Sequence, residues 1–238
     1  MTTTTAPEPM VSEVPGRSDV PAILTGRNLV KRFGATTALH GVDIDIREGE
    51  FLSIMGPSGC GKSTLLYALS GMDVPTEGTV QLDGTELTRL SQKELAQVRL
   101  TRMGFVFQQI HLLKNLSLLD NVVLPAHLAR LAPRAELLAQ ARALMARVGV
   151  AHLADHDISQ ASGGQLQRVG ICRALINRPR VLFADEPTGA LDSTAAGEVL
   201  EILGELNRDG STIVMVTHDP GVAARTHRVV EMRDGGIL

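Results

Sequence analysis

Apolar positions along the chain fall into two textures, one suited to strands and one to helices. "EFLSIM", "RVLFAD" and "STIVMVTH" are short, nearly unbroken apolar runs rich in branched residues, as strands of a parallel sheet covered on both faces tend to be. Each run ends in polar residues. Directly after the first, "STLLYALSGM" places Leu65, Leu66 and Leu69 at helical spacing. Near the amino end, "LVKRFG", "TTALHGVDIDIREGE" and "GTVQLDGTEL" alternate and turn, which predicts a small antiparallel sheet. From about Leu112 to Leu175 the chain is rich in leucine and alanine, with patterns such as "AELLAQARALMARVGV" that favour amphipathic helix. This stretch reads as a helical lobe inserted into an α/β domain. In an open α/β sheet, ligands sit outside the carboxyl ends of the strands. Gly56, Asp185, Glu186 and His218 are expected to gather there.

The junction between the first of these strands and its helix carries the densest chemistry. Gly56, Pro57, Ser58, Gly59, Cys60, Gly61, Lys62 and Ser63, followed by Thr64, fit the pattern G-x-x-x-x-G-K-[ST], in the strand-loop-helix context that the pattern needs. Glycines let successive N–H groups point inward as an anion nest, and the helix amino terminus adds its positive dipole end. Phosphate is the natural guest. Lys62 then reaches the β- and γ-phosphates, and the Ser63 hydroxyl holds Mg²⁺. The strand "RVLFADEP" delivers Asp185 where it can hold Mg²⁺ through water, and leaves Glu186 free to polarise an attacking water. His218, in "VTHDP", ends a strand beside them. Ser162, Gly163, Gly164 and Gln165, in "SGGQLQR", open another helix and form a second anion-binding terminus. One chain needs only one such nest, so the second makes sense if it closes over a phosphate held by another copy.

Composition narrows the class further. Apolar residues make up 44% and charged residues 21%, and the net charge of -3 offers nucleic acid no attractive field. No nucleic-acid partner is expected. Two cysteines, Cys60 and Cys172, cannot build a disulfide framework and point to a reducing compartment. Cys60 lies in the loop near a helix amino terminus and Lys62, which suits a reactive thiol or simply a small tolerated residue. No run of eighteen or more apolar residues is present, so any membrane role comes through a partner. Residues 1–22, rich in Thr, Pro and Ser with no signal-peptide core, read as a flexible tail before a domain over 23–238.

The order of the phosphate loop, "FVFQQ", "SGGQ", "FADEPTGALDS" and "VTHD" resembles the nucleotide-binding domain of ABC transporters over roughly residues 24–238. The resemblance implies a P-loop core with a mainly parallel sheet, a small antiparallel β subdomain, and a helical subdomain inserted at about 109–177. It places Phe33 under the adenine of ATP. Gln108 corresponds to a glutamine that touches Mg²⁺ and the attacking water and moves with the membrane partner. Ser162 and Gly164 contact the γ-phosphate across a head-to-tail homodimer, with Asp192 of "ALDS" at the interface. Glu186 is the general base, and His218 orients the γ-phosphate. Ala161 departs from the leucine usual before "SGGQ". "FVFQQIHLLKNLSLLDNVVLP" and "PTGALDS" are similar to the ATPases that serve lipoprotein-release, macrolide-export and antimicrobial-peptide-resistance permeases. The implied activity is ATP hydrolysis, coupled to export or extraction by a separate integral-membrane permease. The chain then sits peripherally on the cytoplasmic face of the membrane. The alternative is a regulatory mechanotransmitter that pulls on a membrane partner without transport.

Overall fold

A computed structural model describes residues 20–238. The tail expected over 1–22 lies outside them except for its last three residues, and Ala22 already opens the first strand. Alternating polarity makes two long antiparallel strands, β1 (Ala22–Phe33) and β2 (Thr36–Arg47), which reverse through Gly34 at φ +58°. The continuous apolar run follows as β3 (Phe51–Met55), buried at its first four residues. After the glycine loop comes α1 (Lys62–Leu69), whose Leu65, Leu66 and Leu69 face the main core. The chain then returns to the first sheet as β4 (Glu77–Leu82) and β5 (Thr85–Glu86), completing a four-stranded antiparallel sheet in the order β2-β1-β4-β5.

Helix α2 (Gln92–Arg102) starts on a reciprocal cap between Ser91 and Glu94 and feeds directly into β6 (Met103–Phe107). Apolar patterning alone does not mark β6 as a strand, because it is short and abuts a helix. Three helices follow: α3 (Leu118–Ala129), α4 (Arg134–Arg147) and α5 (Gly163–Leu175). They enclose a core of their own that includes Leu119, Val122, Leu137, Met145, Val169 and Cys172. Burial in that core pushes the Cys172 thiol up to about 12. The rest of the chain is β7 (Val181–Asp185), α6 (Ser193–Arg208), β8 (Thr212–Val216), the short α7 (Pro220–Ala223), β9 (Arg228–Arg233) and β10 (Gly236–Ile237).

The second sheet runs β10-β9-β3-β8-β7-β6, parallel except for the edge strand β10. Parallel pairing aligns the carboxyl ends of β3, β8, β7 and β6, with Asp185 opposite both Val216 and Phe107. That alignment collects the polar residues that follow each strand on one edge of the sheet.

One buried side chain fastens the helices to this edge. Gln167 of α5, 1% exposed, donates through Nε2 to the carbonyls of Phe107 at 3.1 Å and Pro187 at 2.8 Å. Gln167→Ala strands both carbonyls and is expected to destabilise the fold by about 1–3 kcal/mol. Denaturant unfolding checks this, and an unchanged midpoint contradicts it.

Candidate active site

The loop between β3 and α1 takes its shape from glycines that nothing else can replace. Gly56 has φ +147°, and a Cβ on it would lie 2.2 Å from the carbonyl oxygen of Met232. Gly61 has φ +101°, and a Cβ there would lie 2.6 Å from the carbonyl of Ala38. With the backbone so curled, α1 begins at Lys62, and its first N–H groups open toward a cleft of about 520 Å³. The cleft is lined by Ala38, Ser58, Gly59, Gly61, Lys62, Ser63, Thr64, Glu186 and His218. Of the strand-end residues expected there, Glu186 and His218 meet the loop at this cleft, whereas Gly56, Pro57, Cys60 and Asp185 are not among its lining residues. Lys62 is 7% exposed, and its ammonium donates to the carbonyls of Gly56 and Pro57, both at 2.8 Å.

Asp185, at the end of β7, receives two hydroxyls from α1. Ser63 donates to Oδ1 at 3.0 Å and Tyr67 to Oδ2 at 2.8 Å. Burial, with the hydrogen bond and the negative charge of Asp185 added to it, pushes the Tyr67 phenol up to about 12, so it stays a donor at neutral pH. Tyr67 belongs to no motif. The only signal for it in the chain is its spacing of four from Ser63, which puts both on one face of the helix.

Glu186 takes the left-handed backbone conformation, at φ +46°, and its N–H donates to the carbonyl of Val216 at 3.0 Å. A bulky residue there is unusual. The turn aims its carboxylate away from β7, and Oε2 lies 3.1 Å from Nδ1 of His218. An ionised carboxylate only accepts, so in a hydrogen bond between the two the Nδ1–H is the donor. The N–H of Gln108 donates to the carbonyl of Asp185 at 2.9 Å. Its side chain crosses Gly189, where a Cβ would lie 2.9 Å from Gln108 Nε2 and 3.2 Å from Glu186 Oε2. Gln108 thus stands beside Glu186.

Other expected site residues stand apart from the cleft. Ser162 caps α5, accepting from the Gln165 N–H, while its own N–H donates to Gln165 Oε1 at 2.8 Å. Ser162 and Gly163 are exposed, and Gly164 packs so closely on α6 that a Cβ would lie 2.7 Å from that of Ala195. Asp192 caps α6 by accepting from Thr194 and Ala195. Phe33, on the antiparallel sheet, is 53% exposed, with Lys31 Nζ 5.1 Å from its ring centroid. Ala161 is half-buried against the core of the helical region. Cys60 differs from the reactive alternative: its thiol is 6% exposed and packs into the main core. A thiol reacts when it is accessible, so the role of a small loop residue is the one its position allows.

The ABC transporter family model matches residues 39–189, more than half of the chain and the whole span from β2 to the turn after Glu186. The chain belongs to the ABC transporter family. It is 49% identical over 213 residues to the macrolide export ATP-binding/permease protein MacB 1/2 of Paracoccus denitrificans, covering 90% of this chain and 32% of that one. It therefore spans about a third of the length of that relative. It is 46% identical to the uncharacterized ABC transporter ATP-binding protein YknY of Bacillus subtilis, covering 84% of this chain and 86% of that one. Among solved structures, the dimeric bacterial ABC transporter cassette MJ0796 is 40% identical, with a TM-score of 0.82, covering 90% of this chain and 96% of that one. The same cassette in a post-hydrolysis state bound to ADP and Pi superposes with a TM-score of 0.80. The fold is thus that of an ABC ATPase cassette.

Proposed function

We propose that this ABC cassette hydrolyses ATP as a pair of copies closed around two nucleotides, and drives a separate integral-membrane permease for export or extraction. The observation that carries the reading is the Glu186–His218 contact at 3.1 Å in the cleft that Lys62 and Ser63 also line, with Ser63 hydrogen-bonded to Asp185. Backbone N–H groups and Lys62 bind the phosphates, and the Glu186 carboxylate accepts the proton of the attacking water. His218 and Gln108 flank that carboxylate and hold the water and terminal phosphate in line.

Mg²⁺ fits the donors present. The Ser63 hydroxyl and Asp185 carboxylate meet at 3.0 Å, and with the Gln108 amide oxygen they are hard oxygen ligands. Ser63, Asp185 and Gln108 would hold the ion, with phosphate oxygens and water as its remaining ligands. When bound, the ion neutralises charge on the phosphoryl oxygens.

Pairing is supported by the unoccupied face at the start of α5. Ser162 and Gly163 are exposed away from the chain's own cleft, and a Cβ on Gly163 would come within 3.7 Å of Leu191, next to Asp192. A second copy meeting this face places its own nucleotide against a helix amino terminus. The dimeric state of the MJ0796 cassette agrees with this. No helix among the described residues is long and apolar enough to cross a membrane. The name of the macrolide-export relative, an ATP-binding/permease protein, supports a membrane partner, and the 86% of YknY that this chain covers supports a separate chain.

Tagged chain recovered from detergent-solubilised membranes tests the partner directly. An integral-membrane protein is expected to co-purify in fixed ratio, and recovery of the chain alone, under conditions that keep permease complexes intact, counts against it. A second test concerns Phe33, an exposed residue whose ring carries Lys31 Nζ at 5.1 Å from its centroid. Phe33→Ala is expected to weaken ATP and GTP alike, by about 1–3 kcal/mol, because every base has a π-face. A loss confined to ATP in titrations of the two nucleotides points to a hydrogen-bonded adenine pocket instead.

A further inference from the structure

Tyr67 makes a contact that the nucleotide reading does not use. Its hydroxyl and that of Ser63 occupy the two oxygens of one carboxylate, at 2.8 Å and 3.0 Å. Ser63 and Tyr67 leave the same face of α1, one turn apart. The partner, Asp185, arrives from a strand end 118 residues later in the chain. A carboxylate gripped through one oxygen can swivel about its last side-chain bond, a broad and soft torsion. Gripped through both oxygens from one rigid helix, it cannot.

The grip is itself braced. The Tyr67 ring packs against the main core, and the carbonyl of Tyr67 accepts from the N–H groups of Met72 and Asp73, at 3.0 Å and 3.2 Å, where the helix ends. Two donors do not exhaust the carboxylate, which has about four acceptor sites when ionised. Room is left for a cation or for its water ligands.

We propose that Tyr67 is a positioning residue for the divalent cation, holding the Asp185 carboxylate in the orientation in which the Ser63–Asp185 pair receives the ion that accompanies the nucleotide. The inference rests on the Mg²⁺-nucleotide reading of the cleft. Hydrogen-bonded partners of a ligating carboxylate set its direction, and their removal typically costs about 10- to 100-fold in metal affinity. A purely packing role for Tyr67 has a different signature, because the ring and not the hydroxyl then matters.

Tyr67→Phe separates the two, since it keeps the ring and deletes the donor. ATP affinity of the full chain is measured by calorimetry, first in excess chelator and then across a Mg²⁺ titration. Metal-free affinity is expected to stay at the wild-type value, while the Mg²⁺ concentration that gives half of the affinity change rises about tenfold. A rise smaller than about threefold, well below the usual effect of such a partner, overturns the assignment. So does a metal-free affinity that falls in parallel, which makes the Tyr67 hydroxyl a support of the whole cleft and not of the cation. If the wild-type chain binds ATP with no response to Mg²⁺, the reading of the cleft fails and this inference fails with it. A normal wild-type response alongside an indifferent variant overturns the role of Tyr67 alone.

Discussion

Glu186→Gln is expected to lower ATP turnover by about 10²-fold or more while leaving nucleotide binding in place, because a general base is removed and the phosphate loop is untouched. The structure makes this substitution unusually clean. Glutamine matches glutamate in shape, and it meets the left-handed backbone at φ +46° with the same β-carbon, so the strain of the turn is unchanged. Its amide oxygen can still accept from His218 Nδ1, which now lies 3.1 Å from Oε2. Basicity is the property that disappears. With hydrolysis blocked, ATP-bound pairs of the cassette are expected to accumulate, and sedimentation with and without Mg-ATP tests for them. Phosphate release from the purified variant at near-normal rates removes Glu186 from the chemistry.

Lys62→Ala is expected to act earlier, at binding. The ammonium is almost fully buried and donates to the carbonyls of Gly56 and Pro57, so it both fastens the loop and supplies, among the described residues, the one fixed positive charge that lines the cleft. Charge-assisted hydrogen bonds contribute about 1.5–3 kcal/mol each, so losing one or two of them to phosphate weakens ATP roughly 10- to 10⁴-fold. The truncation also leaves two loop carbonyls without their donor, and the nucleotide-free protein is expected to melt at a lower temperature. Titration with a fluorescent nucleotide and a thermal melt separate the two effects. Unchanged nucleotide affinity, whatever the melt shows, detaches Lys62 from the phosphates.

The parts of this protein that could be read from residue order are those whose geometry is local. The glycine loop is a short stretch between Met55 and Lys62, and its curl follows from positive φ at Gly56, Gly59 and Gly61 just before a helix starts. Asp185, Glu186 and His218 were legible for a related reason. Each follows an unbroken apolar run, and parallel strands must end on a common edge. Strand β6 was less legible, because five residues abutting a helix carry too short a period to tell strand from helix end.

Tertiary structure alone decided which way particular side chains face and what they meet. Cys60 sits in the loop by sequence, yet its thiol turns into the core, because the backbone path from Gly56 to Gly61 leaves that side facing Met232 and not the cleft. Gln167 lies within a signature stretch that suggests anion binding, and instead ties α5 to the ends of β6 and β7 through two carbonyls. Tyr67 and Asp185 meet across 118 residues. Apolar patterning determines that a helix buries one face and that a strand ends in water, since both follow from the period of the chain. It says nothing of which strand end stands under which turn of which helix. That pairing is set by the order of strands in the sheet, and here it brings Asp185 within hydrogen-bonding distance of both hydroxyls on α1.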